Sequence, residues 1–81
     1  MSFELFSGVI LTTDLTDDDL KAGDVGTVVE RHIVPRQEDG YSVEFFDMTG
    51  KTVAVVTVQA SLLRSPTYAD RPAVRAMATG A

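Results

Sequence analysis

The chain has 81 residues, no cysteine and a formal net charge of −5. Its length supports one small domain, which buries only about 60% of the surface its unfolded form exposes. The missing thiols exclude disulfide staples and thiolate metal sites. Eleven acidic side chains face four basic ones over residues 1–63, a balance of −7, whereas Arg64, Arg71 and Arg75 outweigh Asp70 over residues 64–81. An acidic body repels phosphate backbones, which opposes nucleic-acid binding, and suits a basic protein partner instead.

No apolar run approaches the ~20 residues that cross a bilayer. The opening "MSFELFSGVILTTD" has no basic region and carries Glu4 early, so it does not read as a secretory signal. A cytoplasmic location without membrane contact is therefore expected.

In chain order, the run around Val9, Ile10 and Leu11 predicts a first strand at about residues 8–13. The connector "DLTDDDLKAGD" follows. Thr16 is placed to cap one helical turn, with Asp17, Asp18 and Asp19 in the first turn, where carboxylates complement the helix dipole. Gly23 is placed to end that turn in a left-handed conformation. "VGTVVERHIV" is rich in β-branched residues and predicts a second strand, stopped by Pro35. After the polar loop "RQEDG", "YSVEFF" alternates, with Tyr41, Val43 and Phe45 on one face and Ser42, Glu44 and Phe46 on the other. "DMTGK" predicts a hairpin connection with Gly50 at positive φ. "TVAVVTV" is apolar on both faces apart from its threonines, which predicts a strand central in the sheet or wrapped by it. "QASLLRS" predicts a tight turn and a short closing strand before Pro66.

Short strands about ten residues apart, with no long helix between them, predict a small all-β, five-stranded barrel over residues 1–66 with one short helical turn. Residues 67–81 form a tail. Its small residues and terminal position favour disorder or weak docking; the alternative is a short helix capped by Asp70 near Pro72, with Val74, Met77 and Ala78 on one side.

The stretch "LKAGDVGTVVE" bears on ligand binding. A phosphate-cradling loop needs glycines that lead into a helix, but Gly23 and Gly26 lead into a strand. Gly23, Asp24 and Gly26 are accordingly assigned a structural role: a turn, a local side-chain bond to the backbone, and a bulge or close backbone approach.

"AGDVGTVVE" resembles the KOW-type signature of SH3-like barrels. The longer pattern "GDVGTVVERHIVP", "YSVEF" and "ASLLR" is similar to the SH3-like β subunit of nitrile hydratase. "FELFSGVILTTDL", "LKAGDVGTVVE", "YSVEFFD" and "TVAVVTVQASLLR" together resemble the small bacterial proteins grouped as domain of unknown function 4926, over about residues 3–64. The resemblance implies an SH3-like barrel and supplies no activity. The likeness to nitrile hydratase carries no metal site to this chain, because the ligands there lie on the other subunit in a Cys-rich motif.

Other chemistry finds little support. "DLTDDDLKAGDV" lacks the alternating oxygen ligands and closing glutamate of a calcium loop. His32, the lone histidine, has no identifiable nucleophile or metal-sharing partner and reads as a surface or rim residue. No catalytic residue, metal or cofactor is expected. Of the aromatics Tyr41, Phe45 and Phe46, alternation assigns two to the core. One exposed aromatic beside the acidic connector would mark a protein-binding face. The candidate partner-binding residues are Asp14, Asp17, Asp18, Asp19 and Tyr41.

The expected role is a non-enzymatic protein-interaction module: an acidic accessory, immunity-like or antitoxin-like partner of another bacterial protein. The alternatives are a KOW-like nucleic-acid-binding module, and a homo-oligomeric structural protein that associates through a strand edge or the tail.

Overall fold

The structure is a computed structural model in which residues 2–76 are described. Five strands, β1 (Gly8–Leu11), β2 (Val25–His32), β3 (Gly40–Phe46), β4 (Thr52–Gln59) and β5 (Leu63–Arg64), form one antiparallel sheet in the order β4-β3-β2-β1-β5. The sheet curls into an SH3-like half-barrel, the all-β class predicted from the spacing of its strands.

Register follows the alternation of β3. Phe45 stands between Gly26 of β2 and Ala54 of β4, Val43 between Val28 and Val56, and Tyr41 between Arg31 and Val58. These inward positions join Phe3, Val9, Leu11, Leu20 and Leu63 in one buried cluster. Each large apolar side chain so buried contributes about 1.5–3 kcal/mol, and with no cysteine to staple the fold this cluster is its main support. The Tyr41 hydroxyl accepts the Phe3 N–H at 3.0 Å, and the two rings meet edge to face at 5.3 Å. The buried phenol is thereby satisfied, and the N-terminal segment is fastened over the barrel.

Two predicted features of β2 separate. The bulge falls at Val29, where pairing jumps from Val28 to Glu30, and not at Gly26. Gly26 serves the close approach instead: a Cβ there would lie 2.5 Å from Val43 Cγ1 and 3.0 Å from both Glu44 O and Phe45 Cε1.

The connector also departs from expectation. A 3-10 turn spans Thr16–Asp18, but Leu15 holds the N-cap position and no side chain caps the turn. Leu15 is committed to a two-way backbone bridge with Leu20, so helical geometry begins at Thr16 itself. Asp19, at φ +54°, closes the turn; Gly23, at φ +96°, serves the next one, where its N–H donates to Leu11 O. Asp17 and Asp18 occupy the first turn as predicted.

β4 is an edge strand, not a central or wrapped one. Its outward valines Val53 and Val55 are exposed. Valine there reflects the preference of β-branched side chains for pleated backbone, so apolar residues on both faces did not mean burial on both. The hairpin before it is as predicted, with Gly50 at φ +87°. The 3-10 turn Ala60–Leu62 and the two-residue β5 likewise match the predicted tight turn and closing strand.

Past the barrel, residues 71–76 contain no helix. Asp70 points back instead of capping forward: it accepts the Thr67 N–H at 2.6 Å and takes the Arg64 guanidinium at 2.7 and 2.9 Å. The predicted helix positions Met77 and Ala78 lie outside the described residues.

Candidate functional site

Two neighbouring loops build a groove on one end of the barrel. The first is the connector. Asp14 accepts the Ala22 N–H at 2.9 Å and Asp24 accepts the Lys21 N–H at 2.9 Å, so both carboxylates tie the loop to itself. Leu20 turns inward and is buried, which sets Asp18 and Asp19 on the outer rim.

The second loop is the hairpin between β3 and β4. Asp47 organises it: one carboxylate oxygen takes the Thr49 N–H at 2.8 Å, the Thr49 hydroxyl at 2.7 Å and the Lys51 N–H at 2.9 Å. Bonding first from the Thr49 hydroxyl and then from the Lys51 N–H holds the Asp47 carboxyl below its ordinary pKa. The turn lifts Met48 into solvent, and alternation leaves Phe46 facing out beside it.

Between these loops lies a cleft of ≈280 Å³ with Val25, Phe46, Met48 and Val53 on its floor. Asp18, Asp19, Asp24 and Asp47 stand around it. Met48 is 85% exposed and Phe46 45% exposed, large apolar surfaces in a position that an ordinary core arrangement would cover. Residues 72–75 of the chain form the remaining wall. From that wall Arg75 reaches Asp24 Oδ2 at 2.5 Å and Asp19 O at 3.3 Å.

Of the residues singled out in the sequence, Asp18 and Asp19 line the groove, whereas Asp14 and Asp17 do not. Tyr41 needs correction: it is 0% exposed, so it offers no surface to a partner. The alternation of "YSVEFF" already pointed to the exposed aromatic, Phe46, which lies on the face opposite to Tyr41 and Phe45. Asp24, assigned to a structural turn, does that work and faces the groove as well. Asp47, Met48 and Val53 were missed, because nothing in the sequence marks a hairpin turn as the neighbour of a connector twenty-odd residues earlier.

His32 has a companion that sequence spacing did not reveal. Its Nε2 lies 2.8 Å from Ser42 Oγ, which in turn lies 3.0 Å from Thr57 Oγ1, a polar row across β2, β3 and β4. Glu30 approaches that same Nε2 at 3.8 Å. A nucleophilic triad needs its carboxylate on the opposite ring nitrogen, where it can orient the imidazole. The row is a cross-strand ladder that satisfies the buried Ser42 hydroxyl. Among the described residues, no three metal-ligating side chains converge.

A curled five-stranded antiparallel sheet with a groove between its connector and its last hairpin is the SH3-like class of small β-barrels. Residues 5–65 match the family described as domain of unknown function (DUF4926), and the chain belongs to that family. No curated protein and no solved structure matches it. No helix among the described residues is long and apolar enough to cross a membrane.

Proposed function

We propose that the chain is a non-enzymatic protein-interaction module, an accessory subunit that receives a basic partner on the groove between the connector and the β3–β4 hairpin. One observation carries this reading: apolar side chains left open to solvent are ringed by Asp18, Asp19, Asp24 and Asp47. An apolar floor supplies affinity through burial, and an acidic rim selects and steers a cationic segment. The acidic excess over residues 1–63 extends the same field over the body.

The test is capture by the tagged full chain in its native host, followed by identification of what is held. The expected result is a basic protein in stoichiometric amount, lost with Asp24→Asn and with Phe46→Ser. Both side chains face the groove, and both replacements keep the core intact. Recovery of no such protein, or capture indifferent to both substitutions, removes the reading. RNA binding at low salt that weakens steeply as salt rises would replace it with the nucleic-acid alternative.

A second reading rests on β4. Its eight residues, Thr52–Gln59, form a sheet edge with no charge and no proline, the devices that usually discourage edge pairing. Self-association through that edge would give a homo-oligomer. Sedimentation equilibrium decides it: Val55→Lys should lower the mass if the edge pairs, and an unchanged monomer mass in the wild type ends the idea.

A further inference from the structure

The chain returns to its own groove after leaving the barrel. Arg64 grips Asp70 with two hydrogen bonds at 2.7 and 2.9 Å, and Arg71 braces the same turn by donating to Tyr68 O and Asp70 O. This turn directs the next residues across the connector. Arg75, 51 positions beyond Asp24 in sequence, then places its guanidinium on that carboxylate. The docking is one-sided. Val74 remains 77% exposed, and Phe46 and Met48 are still open to solvent. The tail therefore engages Asp24 and leaves Phe46 and Met48 uncovered.

We propose that residues 72–75 are an intramolecular stand-in for the ligand. The groove recognises a non-helical segment of a basic protein that sets an arginine on Asp24 and an apolar side chain on Phe46, Met48 and Val53. Such a segment enters by displacing Arg75. Charge complementarity selects this occupant: the tail's cation already sits where the rim is acidic. A ligand that also covers the floor outcompetes the tail, because the tail buries no large apolar side chain there. The proposal rests on the groove being the interaction face.

The experiment uses the full chain and fluorescein-labelled peptides copying residues 70–76, read by anisotropy at low salt. Arg75→Ala should bind the copy about two- to five-fold more tightly than the wild type, the range that loss of one exposed ion pair supports. A copy carrying Val74→Phe should bind both proteins more tightly still, and adding Asp24→Asn to Arg75→Ala should weaken binding by about the same two- to five-fold. Equal affinity for wild type and Arg75→Ala would overturn the displacement claim while leaving the groove as a binding face. No gain from the Val74→Phe copy would overturn the apolar half of the recognition. No binding to Arg75→Ala even at millimolar peptide would overturn this proposal and the groove reading together. Arg75 lies outside the core, so circular dichroism of Arg75→Ala should match the wild type and failure to fold cannot imitate these outcomes.

Discussion

Gly23 and Gly26 sit three positions apart and are needed for different physical reasons. At Gly26 the constraint is space, since a methyl would collide with Val43, Glu44 and Phe45. Gly26→Ala should therefore destabilise the chain by about 1–3 kcal/mol, the usual cost of overpacking. The check is a lower urea midpoint with an unchanged slope. At Gly23 nothing lies within 4 Å of an added Cβ, and the constraint is the backbone at φ +96°. Gly23→Ala should cost about 1–2 kcal/mol through the left-handed backbone alone. A neutral result at Gly23 would mean that the connector can adopt another path. The Tyr41 hydroxyl offers a third measurement at this scale. Tyr41→Phe leaves the Phe3 N–H without its acceptor and should cost about 1–3 kcal/mol with the core otherwise filled. An unaltered urea midpoint would show that the N-terminal segment is not held there.

Among the elements, the hairpin between β3 and β4 is sensitive to pH, because three donors converge on the Asp47 carboxylate. Its folded pKa is lowered, so the stabilisation is full above the ordinary carboxylate range and disappears as pH falls through the lowered folded value. Urea unfolding followed from about pH 5 down to about pH 2 should show the wild type losing more stability than Asp47→Asn, whose amide oxygen accepts without titrating. Parallel losses in the two proteins would refute the assignment. Asp70, held low by the Arg64 guanidinium and the Thr67 N–H, obeys the same sign, and acid should loosen the turn that aims the tail at the groove. β4 teaches a separate lesson at this scale. Its composition predicted enclosure, but a run of valine and threonine reports suitability for a pleated strand before it reports burial.

For the molecule as a whole, every member of the buried cluster lies between Phe3 and Leu63. A chain ending at Ser65 should therefore keep the β-sheet spectrum and a urea midpoint equivalent to within about 0.5 kcal/mol of the full chain, as expected when only exposed contacts are lost. An unfolded shortened chain would refute the domain limit. The strands, the hairpin, the short closing strand and the inward face of β3 were legible in advance, because alternation and turn-forming glycines act over a few neighbouring residues. The groove was legible only in fragments: the acidic run named Asp18 and Asp19, and alternation indicated Phe46. Asp24, Asp47, Met48 and Arg75 carried no joint signal, being scattered over 51 positions of chain. What the sequence determined by itself was an all-β, acidic, cysteine-free domain in which the faces of β3 could be assigned residue by residue, since each of those properties is local or a simple sum. Only the tertiary structure decided which carboxylates share a rim and that β4 is an edge. These depend on which distant segments the curling of one sheet brings side by side, and no spacing along the chain encodes that curvature.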